Sequence, residues 1–251
     1  RAETILLNYS SLCKEYSVDV SNAIATSAVR DAKNKHDVLS RLGKALDAPV
    51  YCISGKEEAQ LCFHGTAQAD NECILDIGGG STELVFRNDS GDIQSLSINV
   101  GAVRLTERYF SDGVTDTNIE SAQRDIIEAI THITLPELSM LRAVAGTPTT
   151  LAAMTLDLAE FDAQQIDGFA LTLNTVSNHR QWLMQHHGTE VLRSRNGIHP
   201  DRADILFAGT LILETILKHF SISECTVSVR GVRYGLAIRS AEAIQLRQLH
   251  R

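Results

Sequence analysis

The stretch ILDIGGGSTELVF, residues 74–86, decides how this chain is read. Ile74, Leu75 and Ile77 describe a buried strand that carries Asp76 near its exit, where a carboxylate is costly unless it binds something. Gly78, Gly79 and Gly80 permit backbone angles and close approaches that side chains would block. Their N–H groups, with those of Ser81 and Thr82, can form an anion-binding nest, and the Ser81 and Thr82 hydroxyls add donors. Asp76 could then hold a hydrated divalent cation against a bound phosphate. A strand follows the loop, not a helix, and no lysine follows the glycines, so neither the Rossmann nor the Walker fingerprint fits. The plain alternative is a tight hairpin turn with a solvated Asp.

Upstream of this loop the order is α-β-α-β-α. Helical spacing over 1–17 precedes a short strand in SNAIATSAVR (21–30), a helix in 31–46, a β run in PVYCISG (49–55) and a helix in KEEAQLCFHGTAQ (56–68). That order predicts an α/β layer with parallel strands. Downstream, ECILDI (72–77), STELVFRN (81–88) and DIQSLSIN (92–99) are closely spaced strands, with NDSGD (88–92) as the hairpin turn. Helices are predicted over 101–110, 116–133, 149–158, 201–220 and 232–251, strands over 141–146 and 224–231, and a strand with a helix in 171–187.

VAGTPTTLA (144–152) repeats the strand–glycine theme. Gly146 and Thr147 open a helix whose first N–H groups form another phosphate or sugar site, or an ordinary N-capped helix start. Glu57 and Glu58 stand in a first helical turn, where carboxylates favour the helix dipole; functionally, one of them is a candidate general base activating water. Arg30 could neutralise a phosphoryl oxygen or be a surface residue. Arg193, Arg195 and Arg202 surround NGIHP, and Arg230 and Arg233 bracket Gly231, which suggests an anion track or a solvated face.

Composition narrows the classes. With 251 residues, 43% hydrophobic and 22% charged, the chain is globular. No apolar run reaches transmembrane length, and the first residues lack the order of a signal peptide. The net charge of −8 argues against non-specific nucleic-acid binding. Five cysteines match no metal spacing and read as core fillers of a reduced, cytoplasmic protein. The nine histidines are scattered, and His186 and His187 would diverge on a helix, so no zinc site is expected.

Taken together, ATSAVRDAKN (25–34), ISGKEEAQL (53–61), LDIGGGSTELV (75–85), GAVRLTERYF (101–110), AGTPTTLAA (145–153) and RADILFAGTLILETIL (202–217) resemble the exopolyphosphatase / guanosine pentaphosphate phosphohydrolase family. The resemblance spans nearly the whole chain. It implies an α/β, actin-like (ribonuclease H-like) two-domain architecture with an incomplete first domain: residues 1–68 as the remainder of domain I, with 232–251 packing back on it, and 69–231 as domain II. It implies Mg²⁺ and removal of terminal phosphate from inorganic polyphosphate or guanosine pentaphosphate by attack of water, with no membrane or nucleic-acid partner. By motif, Glu58 resembles the family's water-activating base and Arg30 its phosphate-contacting arginine. Asp76, Gly78, Gly79, Gly80, Ser81 and Glu83 match its second phosphate and cation loop; Gly146 and Thr147 match the loop at the cleft wall.

Three departures accompany the resemblance. The family opens with a strand–loop–strand carrying D-x-G-(S/T)-N-S, the first phosphate loop; nothing precedes Arg1 here, so roughly 60 family residues, with a further catalytic Asp, are expected to be missing from this chain. The connection from Glu58 to Asp76 is a few residues short. Tyr234 stands where Glu is common, and Pro148 replaces a small residue. The chain ends where short family members end, without the appended helical domain of longer ones. The alternative reading is a non-catalytic module that binds polyphosphate or an alarmone nucleotide; a sugar or acid kinase on the same scaffold is weaker, because nothing marks a sugar pocket. Whether a homodimer forms is left open; exposed strand edges in domain I would favour association.

Overall fold

The computed structural model describes residues 2–18 and 22–249. Two sheets organise them. The smaller is a parallel pair, β1 (Ala23–Ala25) and β2 (Val50–Cys52), accompanied by α1 (Ala2–Glu15), α2 (Ser27–Arg30) and α3 (Lys35–Leu46). Arg41 on α3 donates two hydrogen bonds to the Glu3 carboxylate on α1, at 2.7 and 3.1 Å. The stretch expected to hold only a strand thus adds a turn of helix, and Arg30 is its last residue.

The larger sheet has six strands in the order β5–β4–β3–β6–β8–β7. β3 (Glu72–Ile77), β4 (Thr82–Arg87) and β5 (Ile93–Ile98) form an antiparallel meander. The turn between β4 and β5 closes on Asn88, whose side-chain oxygen accepts from the N–H groups of Ser90 and Asp92. β6 (Met140–Val144) and β8 (Glu224–Val227) run parallel to β3, and β7 (Ala170–Thr172) closes one edge antiparallel to β8.

Helices α4 (Gly55–Thr66), α5 (Ala102–Leu105, continuing as a π-helical turn through Phe110), α6 (Asp116–Ile130), α7 (Gly146–Thr155), α8 (Ala163–Ile166), α9 (Leu173–His186), α10 (Glu190–Ser194), α11 (Ala203–His219) and α12 (Val232–Leu249) complete the fold. The α7 helix starts three residues before the predicted 149, because Pro148 falls in the first turn, where no N–H is needed. Among the described residues no helix is long and apolar enough to cross a membrane.

Alternation along β3 explains the layers. Cys73, Leu75 and Ile77 face the large core with α6, α7 and α11, whereas Ile74 joins Val85 and Val144 on the other face beneath Ala59, Cys62 and Phe63 of α4. Buried on both faces, β3 reads as a near-continuous apolar run. α11 is buried from Leu206 to Leu217, which its all-round hydrophobicity requires. Within it Glu214 is buried and ion-paired to Arg180 at 2.6 Å and Lys218 at 2.7 Å. At the N-terminal end of β3, Glu72 and Arg142 form a second buried ion pair at 2.7 Å.

Periodicity along the chain does not show which helix lies on α4. It is α12, the last element, crossing where Gly65 meets Gly235. A Cβ on Gly235 would strike the carbonyl of Leu61, and one on Gly65 would strike the backbone of Gly231 and Gly235. Only glycine at both positions allows this approach. An ion pair between Glu57 and Arg239, 2.8 Å, fastens the same helices farther along.

Candidate functional site

The parallel strands β3, β6 and β8 end side by side, and their C-terminal ends open into a cleft of about 940 Å³. Crevices beyond the carboxyl ends of parallel strands are where α/β sheets bind ligands. Asp76 stands on the floor, the start of α7 forms one wall, and the segments 193–202 and 228–233 form others.

The carboxylates converge for a reason visible in the strand period. Asp76 shares a face with Ile74, and its cross-strand partner Glu83 shares a face with Val85. That face is covered by Ala59 and Cys62 of α4; Glu58 lies one turn before Cys62 on the same helix. The apolar seam under α4 therefore ends in three acidic residues. Burial, and then the charges of Glu83 and Glu58, push the Asp76 carboxyl up to about 6. Glu83 accepts hydrogen bonds from the hydroxyls of Ser81 (2.5 Å) and Ser97 (3.0 Å). Glu58 is paired with Arg30 at 3.1 Å, and the same Arg30 nitrogen donates to the carbonyl of Ile53 at 3.0 Å. Ser54 caps α4 by accepting from the N–H of Glu57, which fixes the turn that carries Glu58.

The glycine loop divides its polar groups between fold and solvent. The carbonyls of Gly78 and Gly79 accept from the N–H groups of Ala102, Val103 and Arg104 at the start of α5, at 2.9 to 3.0 Å. Gly101 makes this possible, since a Cβ there would run into Gly79 and Gly80. The Gly78 N–H closes the turn on the Ser81 carbonyl at 2.9 Å. The N–H groups of Gly79, Gly80 and Ser81 donate to nothing among the described residues, which leaves three donors for an anion. The hydroxyl expected from Thr82 does not join them. Thr82 is fully buried and donates to the Val100 carbonyl at 2.7 Å, a structural bond that ties β4 to the segment before α5.

At the second glycine site, the Arg202 guanidinium lies over Gly146, and Arg202 borders both the main cleft and a smaller pocket beneath it that Gly78, Gly79 and Thr147 line. Thr147 is largely buried, its hydroxyl against Gly209 of α11, so its side chain points into the fold. Of the five arginines read as an anion track, all line the cleft. Three are engaged: Arg193 with Asp204 at 3.0 Å, Arg230 with Asp167 at 3.4 Å, and Arg195 over the Trp182 ring at 4.8 Å. Arg202 and Arg233 have no ion-pair partner among the described residues.

Two features of the cleft have no sequence signal that periodicity or motif could detect. Ala145, at the wall, takes φ 71° and ψ −162°, a region that is nearly exclusive to glycine. Phe161 sits at the mouth, 65% exposed. Among the described residues no group of three or more His, Cys, Asp or Glu is arranged to hold a metal by itself. The cysteines are all unpaired; burial pushes the thiols of Cys62, Cys73 and Cys225 up to about 12, which makes them inert packing groups.

Residues 1–243 match the Ppx/GppA phosphatase family. The exopolyphosphatase 2 of Mycobacterium tuberculosis is 28% identical, over 96% of this chain and 81% of that protein. A bifunctional 3-dehydroquinate synthase/phosphatase of Fusobacterium nucleatum is 29% identical over 94% of this chain; the chain spans only 37% of that longer protein. The solved Ppx/GppA enzyme of Aquifex aeolicus superposes with a TM-score of 0.82 at 26% identity, covering 94% of this chain and 81% of that one.

Proposed function

The chain belongs to the Ppx/GppA phosphatase family and shares its mixed α/β fold; on that premise we propose that it releases terminal phosphate from inorganic polyphosphate, guanosine pentaphosphate or both, by direct attack of water, in the cytoplasm. One observation carries the reading: an acidic group of Asp76, Glu83 and Glu58 lies next to a loop with three uncommitted N–H donors. Residues 1–68 together with α12 are read as one actin-like lobe and 69–231 as the other.

Roles follow from position. The N–H groups of Gly79, Gly80 and Ser81, with those at the start of α7, hold phosphoryl oxygens and stabilise charge that grows on them. Arg30 and Arg202 supply further cationic partners. Glu58 orients a water and takes its proton; its bond to Arg30 keeps it aimed. No side chain is placed as a phosphoryl-accepting nucleophile in this reading, which leaves inversion at phosphorus by water as the route.

The donor set fits a hard divalent cation. Asp76 offers carboxylate oxygens, every influence on it from its surroundings disfavours the bare charge, and Glu83 stands opposite. Mg²⁺ uses one or two carboxylates with substrate phosphates and waters, so it needs no three-residue cluster, and there is none among the described residues. When bound it would neutralise phosphate charge. Phosphate release from polyphosphate and from guanosine pentaphosphate, with and without Mg²⁺, tests the proposal; tight binding of either compound with no release would mean a binding module instead.

A further inference from the structure

We propose that Phe161 is a specificity-determining residue that stacks on a purine base, so that the cleft prefers a nucleoside oligophosphate to a bare phosphate chain. The inference rests on the phosphate-binding reading of the cleft and goes beyond it by assigning the opposite end.

The segment 156–162, between α7 and α8, holds its aromatic residue out of the core by construction. At its start Asp157 adopts φ 52°, and the N–H groups of Asp157 and Leu158 bond back to the carbonyls of Met154 and Ala153. Leu158 packs on the core. At its end the Asp162 side chain caps α8, accepting from the N–H groups of Gln164 and Gln165 and from the Gln165 amide. Between these two anchors Phe161 lines the cleft with most of its surface in water. A rigid, exposed ring on a pinned loop is a stacking platform with little ordering left to lose on binding.

Charge divides the cleft. The segment carries Asp157, Glu160 and Asp162 and no basic residue, and Glu160 lines the cleft beside Phe161. The arginines that lack ion-pair partners among the described residues, Arg202 and Arg233, lie on the segments that form other walls. A phosphate chain is therefore drawn to the arginine side and repelled by the acidic loop. A purine base has the opposite preference: it is neutral, its faces stack on Phe161, and ring and exocyclic N–H groups can donate to a carboxylate. The cleft volume of about 940 Å³ is also near the upper end for sites that enclose whole organic ligands, more than a phosphate at Gly146 requires.

The test compares guanosine 5′-tetraphosphate with inorganic tetraphosphate, which have the same number of phosphates, by calorimetry on the full chain without divalent cation. The nucleotide should bind about tenfold tighter or more, Phe161→Ala should remove that advantage while leaving inorganic tetraphosphate unchanged, and Phe161→Trp should retain it. Unchanged affinity for inorganic tetraphosphate also shows that the variant is folded. Equal affinity of the two ligands for the parent chain, or a preference that survives Phe161→Ala, overturns the proposal. If inorganic tetraphosphate binds without a nucleoside advantage, the phosphate-binding reading of the cleft stands and only this inference falls; if neither ligand binds, with or without Mg²⁺, both fall.

Discussion

Asp76 and Glu83 are directly opposite each other across the antiparallel pair β3–β4, two carboxylates on one face of the sheet. Like charges in that position oppose folding. Neither strand gains from the arrangement, so it is a cost of the site, partly relieved by the two serine hydroxyls that donate to Glu83.

Removing the Asp76 charge should stabilise the protein while abolishing turnover. The folded carboxyl titrates at about 6 against 3.8 for an unperturbed Asp. Between these values the folded state holds the proton and the unfolded state releases it, so stability falls as pH rises from 4 through 6. Asp76→Asn should be about as stable as the parent at pH 4 and roughly 1–3 kcal/mol more stable at pH 8. Urea unfolding at the two pH values measures the difference; an equal or less stable variant at pH 8 would mean that Asp76 is not strained.

Glu58→Gln should lower kcat by about 100-fold or more with little change in KM, since a general base acts on the transition state. The helix should survive, because Ser54 still caps it and Arg30 keeps its bond to the Ile53 carbonyl. Undiminished kcat would remove Glu58 from the mechanism.

Ala145→Gly should raise stability by roughly 1 kcal/mol or more, because a glycine adopts φ 71°, ψ −162° without the Cβ penalty. A thermal melt decides the sign. A loss of stability would show that the Ala145 methyl is held by packing worth more than the strain.

Breaking the buried pair at the far end of β3 should cost more than replacing it. Arg142→Met leaves Glu72 buried without its cation, at a cost of about 3–5 kcal/mol, whereas Glu72→Leu with Arg142→Met should recover most of it. Arg142 and the Gln68 N–H hold the Glu72 carboxyl below its usual value despite burial. Its contribution is therefore present above the ordinary Glu range and lost as pH falls through the lowered value. Denaturation of the double variant should show a weaker acid dependence.

Much of the fold is legible along the chain because the signals are local. DIGGGSTE between two apolar runs announces the hairpin, NDSGD its sequel, and the strongly apolar stretch 206–217 the central helix. The role expected for the Thr82 hydroxyl fails because a hydroxyl's partner depends on what lies above it: Val100 arrives eighteen residues later, and its carbonyl accepts the hydrogen bond. Ala145 gives no warning of its conformation, since an alanine is ordinary everywhere until tertiary contacts impose a left-handed φ. The α4–α12 crossing depends on two glycines 170 positions apart, each unremarkable by itself.

That crossing also constrains when the protein can acquire its acidic group during synthesis. Glu58 leaves the ribosome well before α12, the partner of its helix. Until α12 has emerged, α4 has nothing to meet at Gly65 and rests on the sheet alone. Such a long-range closure is slow to form and exposed to aggregation meanwhile. A chain that stops short of residue 232 would carry both glycine loops but lack the helix that braces the one bearing Glu58.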